Sequence, residues 1–82
     1  MHLTLQQLRL FESVSRLGSY TRAAEELFLT QPAVSIQVKR LEAQVGLPLF
    51  EQVGKKTFPT VAGKTLYDAS LDILNRVDIL KN

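Results

Sequence analysis

Polar side chains recur at helical spacing in the middle of the chain, and their types suit contacts with DNA. Gln31, Ser35 and Lys39 are four residues apart, so on a helix they follow one another turn by turn. A glutamine amide matches the edge of adenine, and a serine hydroxyl serves either base type. Lys39 and Arg40 supply cations that would bind backbone phosphates. This spacing predicts a helix that reads bases with its first turns and holds phosphates further along.

Catalytic and metal-binding chemistry finds no support in the sequence. The only histidine is His2, close to the terminus, where a solvated side chain is the expected state. The chain has no cysteine, which excludes thiol catalysis and cysteine-based zinc sites. The carboxylates are scattered over predicted polar faces, and there is no glycine-rich phosphate loop. We therefore expect no enzyme, no catalytic residue, no metal and no cofactor.

Length and charge indicate one small, weakly basic domain. Ten Lys and Arg against eight Asp and Glu give 82 residues a formal charge of +2. A core of this size leaves little net stability, so a partner chain is expected. No apolar run reaches the roughly 18 residues of a membrane span, and the N-terminus lacks the pattern of a signal segment. We therefore predict a cytoplasmic protein with no membrane contact.

The elements that must position these side chains are mostly helices. The first helix is predicted over residues 1–17. Ser19 and Thr30 are good N-caps for the next two helices, and Pro32 falls in a first turn, where proline is tolerated. Together they predict a helix-turn-helix over about 20–39, a motif whose second helix enters the major groove of DNA. On spacing alone, an ordinary helical hairpin in a small bundle is an equal alternative.

A short hairpin, or wing, is predicted over residues 49–59. Its turn, Val53-Gly54-Lys55-Lys56, lies between short apolar pieces and carries a basic tip. Such a tip is either a solvated turn or a phosphate contact, and a neighbouring helix-turn-helix favours the second.

Ile36 is an apolar residue on the polar side of the third helix. It lies opposite the apolar stripe of Val34, Val38 and Leu41. Two interpretations are open. Ile36 is either exposed without a role, or it contacts a thymine methyl group in the groove.

Thr60 opens a last helix that is predicted to run to residue 82. Its apolar positions follow the 4-3-4-3 spacing of a heptad seam. The helix either folds back on its own domain or pairs with another chain. Because it would overhang so small a domain, we expect a homodimer. The predicted dimerisation residues are Leu66, Ser70, Ile73, Leu74, Val77 and Leu80.

Five short motifs resemble the N-terminal domain of the LysR-type transcriptional regulators. They are SYTRAA at 19–24, TQPAVS at 30–35, KRLE at 39–42, GLPLF at 46–50 and TVAG at 60–63. The resemblance implies a winged helix-turn-helix and a linker helix that pairs antiparallel in a dimer, with tetramers possible for the full-length protein. It also implies an effector ligand that binds only a C-terminal domain absent from this chain. TQPAVSIQVKRLE together with LFEQVGKK is most similar to the subgroup that controls carbon-fixation operons in autotrophic bacteria.

The resemblance also implies roles for single residues. Gln31, Pro32 and Ser35 match the groove-facing positions of the family, and Thr21 and Arg22 match a helix start near the phosphate backbone. The complete set of predicted DNA-binding residues is Thr21, Arg22, Thr30, Gln31, Pro32, Ser35, Ile36, Lys39, Arg40, Gln52, Lys55 and Lys56.

Two positions depart from the family pattern. Ile36 stands where many members have Arg or Lys, and Gln52 stands where the wing usually has Arg. Both changes remove a charge that would contact DNA. Lys55 and Lys56 would compensate for the loss at the wing.

These observations predict a mainly α chain with two parts. A winged helix-turn-helix of three helices and a small β wing would occupy residues 1–59, and a linker helix for dimerisation would occupy 60–82. The expected function is sequence-specific binding of double-stranded DNA in a dimeric bacterial transcription regulator. Residues of about 30–45 would enter the major groove, and about 50–59 would lie on the backbone or in the minor groove. The alternative is a helical protein–protein interaction module that does not bind DNA.

Overall fold

The computed structural model describes residues 2–81, which form four helices and one two-stranded sheet. In chain order the elements are α1 (Leu5–Leu17), α2 (Tyr20–Leu27), α3 (Gln31–Val45), β1 (Phe50–Val53), β2 (Lys56–Pro59) and α4 (Val61–Lys81). The predicted outer limits of the first and last helices, Met1 and Asn82, lie outside the described residues. The first helix begins at Leu5 because the Thr4 side chain caps it. Between residues 2 and 81, no helix is long and apolar enough to cross a bilayer.

Short polar residues begin α2 and α3 where the sequence predicted. The Ser19 hydroxyl accepts a hydrogen bond from the Arg22 N–H at 3.1 Å. The Thr30 hydroxyl accepts one from the Ala33 N–H at 3.2 Å, and Pro32 occupies the first turn of α3. Each cap satisfies a backbone donor that has no partner inside the helix. The two caps therefore fix the residues at which both helices of the helix-turn-helix begin.

An apolar core joins the helix-turn-helix to α1. Its members from α1, α2 and α3 are Leu10, Val14, Ala23, Ala24, Val34 and Val38. The two alanines are small, so α2 approaches its neighbours closely. A second cluster of Phe11, Leu41 and Leu49 ties α1 and α3 to the residue before the hairpin. Burial of these side chains decides which face of α3 is left for solvent.

Two hydrogen bonds fix the hairpin, one to the end of α1 and one from α3 to the residue that precedes it. Gln52 of β1 lies opposite Thr57 of β2 in an antiparallel pair. Thr57 is buried, and its N–H donates to the carbonyl oxygen of Gly18 at the end of α1 at 3.4 Å. The Glu42 carboxylate of α3 accepts the N–H of Leu49 at 2.7 Å. The predicted wing is therefore confirmed, and its position relative to α3 is set by these contacts.

The last helix packs back along α1, the first of the two arrangements that the sequence left open. Ser70 and Leu74 are 0% and 7% exposed on the side of α4 that meets α1. Leu66 packs against the second core cluster. The Arg9 guanidinium of α1 pairs with the Asp78 carboxylate of α4 at 2.9 Å. Leu66, Ser70 and Leu74 of the predicted seam therefore stabilise the fold of a single chain.

Another part of the predicted seam lies in solvent. Ile73 is 40% exposed and Leu80 is 86% exposed, and Val77 lies at the edge between the two sides. The helical repeat explains the division, because Ile73 and Leu80 are turned by about 60–80° from Ser70 around the helix axis. Within the predicted seam, Ile73 and Leu80 are the large side chains that stay open to solvent.

Candidate nucleic-acid interface

The third helix turns one face to the core and the opposite face to solvent. Val34, Val38 and Leu41 are at most 1% exposed, whereas Ile36 is 51% exposed. Arg40 is also exposed. The predicted placement of Ile36 away from the core is therefore confirmed. The solvent-facing side that carries Ile36 also carries the basic Lys39 and Arg40 beside the small or apolar Pro32 and Ala43.

A depression of about 400 Å³ separates α3 from the hairpin. It is lined by Tyr20, Gln31, Ser35, Lys39, Glu42, Phe50 and Gln52. The stripe of Gln31, Ser35 and Lys39 thus faces Gln52 of the wing across one concave surface. The sequence predicted all four of these residues as DNA contacts, and the fold brings them together.

The remaining predicted contacts surround this depression without lining it. They are Thr21, Arg22, Thr30, Pro32, Ile36, Arg40, Lys55 and Lys56, all of them exposed. Tyr20 also lines the depression, and it is not among the contacts predicted from the sequence. The one available signal was its type, since a tyrosine beside a helix cap has a polar end as well as a ring.

The first turns of α2 and α3 favour an anion. Neither turn carries an acidic side chain. The free N–H groups at a helix start give it a partial positive charge, which attracts phosphate. Both helices of the motif therefore begin with surfaces that suit the backbone of a nucleic acid.

A polar clamp on the far side holds α2 against α1. The Ser13 hydroxyl donates to the Glu26 carboxylate at 2.5 Å. Arg16 donates to Glu26 at 2.5 Å and to Glu12 at 2.9 Å. Arg16 and then Ser13 lower the pKa of the Glu26 carboxyl, and the two carboxylates raise the pKa of Arg16. The clamp contributes to the angle at which α2 presents its first turn.

Residues 5–64 match the family model of the bacterial regulatory helix-turn-helix protein, lysR family. The chain belongs to the lysR family. The predicted resemblance to LysR-type regulators is thereby confirmed. In the described residues no group of three or more His, Asp or Glu side chains could hold a metal ion.

Named relatives in the lysR family are regulators. The chain is 54% identical over 77 residues to the RuBisCO operon transcriptional regulator of Acidithiobacillus ferrooxidans, covering 94% of this chain and 25% of that protein. It is 50% identical over 78 residues to the transcriptional activator CmpR of Synechocystis sp., covering 95% and 26%. The chain thus spans about a quarter of the length of these relatives. Both relatives are named as transcriptional regulators and not as enzymes, which agrees with the prediction, and the RuBisCO operon regulator matches the predicted carbon-fixation subgroup.

Solved lysR structures confirm the winged helix-turn-helix fold. The CbnR_DBD–DNA complex has a TM-score of 0.90 and 28% sequence identity, covering 96% of this chain and 91% of that chain. The BenM_DBD/benA site 1 DNA complex has a TM-score of 0.91 and 32% identity, covering 95% and 88%. Both of these neighbours are complexes with DNA.

Proposed function

We propose that this chain is the DNA-binding module of a bacterial transcription regulator and binds double-stranded DNA in a sequence-specific manner. The third helix enters the major groove, and the hairpin lies on the backbone or in the minor groove. The depression that joins the Gln31, Ser35 and Lys39 stripe to Gln52 carries the proposal, because it combines base-reading side chains with a cation and the wing. The DNA complexes of two neighbours with the same fold support it.

The exposed residues divide into two roles. Gln31 and Ser35 read base edges, and Thr30 and Pro32 bring the first turn of α3 close to the DNA. Gln52 is an uncharged contact from the wing. The residues that hold phosphates are Thr21, Arg22, Lys39, Arg40, Lys55 and Lys56.

Replacing Gln31 by Ala should weaken binding to the specific site by about 1–3 kcal/mol and weaken binding to random DNA less. Replacing Lys55 by Ala should weaken binding to both DNAs about equally, because it removes one phosphate contact. The slope of log affinity against log salt concentration should fall by about one for the same reason. Fluorescence anisotropy over a salt series measures both variants. Equal losses on the two DNAs for Gln31→Ala would remove it from the base readers. Salt-insensitive binding to DNA would contradict the proposed function.

Replacing Ile36 by Ala should weaken specific binding with little change in melting temperature. The side chain is half exposed, so its removal should change the free energy of unfolding by no more than the roughly 0.5 kcal/mol typical of surface substitutions. A buried isoleucine would cost about 2–5 kcal/mol. If Ile36 contacts a thymine methyl, placing uracil at that step should shrink the difference between wild type and variant. Unchanged DNA affinity would make Ile36 a bystander.

The exposed side of α4 is the second functional surface, and we propose that it pairs with a second copy of this chain. It carries Ala62 and Ala69 in its N-terminal half and Ile73 and Leu80 in its C-terminal half. Ala62 and Leu66 also line an apolar groove of about 430 Å³ with Leu3, Val45, Leu47, Thr65 and Ala69. Burying this groove and the two large side chains would supply the stability that so small a core lacks.

The order of small and large residues on this side favours an antiparallel pair. If the two-fold axis passes near residue 71, Leu80 of one copy meets Ala62 of the other. Ile73 then meets Ala69 in the same way. A two-fold contact repeats itself, so both large side chains of each copy face a small residue. A parallel pair would place the large side chains of the two copies against each other and would leave a gap between the two N-terminal halves, where the alanines lie.

Further proposals concern the full-length regulator that would contain this DNA-binding module. We propose that it controls an operon for carbon fixation in the cytoplasm, as a homodimer or a tetramer, and that its effector binds outside residues 1–82. The name of the Acidithiobacillus ferrooxidans relative, a RuBisCO operon regulator, supports the operon class. Footprinting of this module on genomic DNA tests the operon assignment. The assignment would be wrong if the protected two-fold sites lay only beside genes unrelated to carbon fixation.

A further inference from the structure

Tyr20 stands where α2, α3 and the hairpin meet. It is the first residue of α2 and is half-buried. Its ring meets Phe50 of β1 edge-on, with ring centroids 6.0 Å apart and planes at 75°. The same side chain lines the depression with Gln31, Ser35 and Lys39. The ring is therefore held in place by the wing while one part of it faces the candidate DNA surface.

The hydroxyl of Tyr20 is a hydrogen-bond donor without a partner. Within residues 2–81 the structure gives it no hydrogen bond. Burial raises its pKa, and the nearby Glu42 carboxylate adds to the rise, so the hydroxyl keeps its proton at neutral pH. Glu42 itself is engaged by the Leu49 N–H at 2.7 Å. Tyr20 and Glu42 both line the depression, so the side chain that carries this hydroxyl borders the candidate DNA surface.

We propose that the Tyr20 hydroxyl donates a hydrogen bond to a backbone phosphate oxygen of DNA lying across the depression. The inference rests on the proposed function and adds a contact to it. The first helix of a helix-turn-helix crosses the DNA backbone, whereas the second reaches the bases, so a group at the start of α2 meets phosphate first. A phosphate oxygen only accepts hydrogen bonds, which suits a protonated hydroxyl. The Lys39 ammonium lines the same depression and draws the anion there.

Removing only the hydroxyl tests the contact. Tyr20→Phe should weaken binding about tenfold on specific and on random DNA alike, the loss typical of one hydrogen bond to a charged group. The salt slope should stay unchanged, because no charge is removed. The melting temperature should also stay unchanged, because phenylalanine keeps the ring contact with Phe50. The matched control is Tyr67→Phe, since Tyr67 is the only other tyrosine and lines a separate depression with Ser15, Pro59, Lys64 and Asp68.

Neutral methylphosphonates placed one at a time in the duplex identify the acceptor. At the contacted phosphate, the substitution should lower the affinity of the wild type more than that of Tyr20→Phe, so that the affinities of the two proteins become equal. No convergence at any position would overturn the proposal, as would equal binding of Tyr20→Phe and wild type to unmodified DNA. A loss confined to the specific duplex would instead indicate a base contact and also overturn it. Failure of wild type to bind any duplex would contradict the proposed function itself.

Discussion

Exchanging both Ile73 and Leu80 for Asp should convert the protein from a dimer into a monomer in sedimentation. It should also weaken binding to a two-half-site operator by at least about 100-fold, because linked half-sites gain that much over separate ones. Both side chains are exposed, so each chain should keep its fold. In the proposed antiparallel contact each new carboxylate would lie against an alanine that lines the apolar groove of the other copy, where unpaired charges are costly. Binding to a single half-site should change little.

The far side of α4 offers a matched control for this double variant. The control combines Asn75→Asp with Ile79→Asp. It introduces the same two carboxylates but removes one apolar side chain instead of two. Both positions lie about 140–180° around the helix from Ser70. This control should remain dimeric. A dimer of the Ile73 and Leu80 double variant at the same concentration would show that the proposed surface is wrong.

Cysteine cross-linking tests the antiparallel order within the same prediction. The chain has no cysteine of its own. When Ala62→Cys and Leu80→Cys chains are mixed and oxidised, disulfides should link position 62 to position 80. Identical positions would be about 27 Å apart at 1.5 Å per residue, so neither chain should link to itself. A disulfide between two copies of position 62 would indicate a parallel pair.

Replacing Gly63 by Ala should destabilise the fold by about 1–3 kcal/mol, which lowers the melting temperature by roughly 5–20 °C in a domain of this size. A Cβ at this position would overlap the carbonyl oxygen of Leu49, which accepts the Thr60 N–H at 3.0 Å. Helix propensity predicts the opposite sign, a gain of about 1 kcal/mol. The sign of the change therefore shows whether the contact between α4 and the hairpin exists.

Thermal unfolding should be followed at one fixed protein concentration, because dimer stability depends on it. Asn75→Ala is the control, since this position is exposed and gains helix propensity. It should stabilise the protein by a few tenths of a kcal/mol. A gain of similar sign for Gly63→Ala would mean that α4 does not approach Leu49 closely.

Features that depend on residues near one another in sequence followed from the sequence. The caps at Ser19 and Thr30 act over three residues, and the helical period places Ile36 opposite Val34 and Val38. The turn at Gly54 closes a two-strand hairpin whose partners are at most ten residues apart. Each of these is decided by hydrogen bonds and side-chain spacing within one element. The stripe of Gln31, Ser35 and Lys39 on α3 could therefore be predicted before the fold was known.

Features that depend on contacts between distant elements came only from the tertiary structure. Tyr20 joins the candidate site because β1, thirty residues later, places Phe50 against its ring. The heptad pattern of α4 marks Ser70 and Ile73 alike as apolar-seam positions, yet α1 covers the first and leaves the second exposed. Periodicity shows that a helix has an apolar side, but which neighbour covers that side is decided by where the chain returns in space. The sequence therefore determined the elements and the solvent-facing side of α3, and packing decided the depression beside the wing and which side of α4 stays exposed.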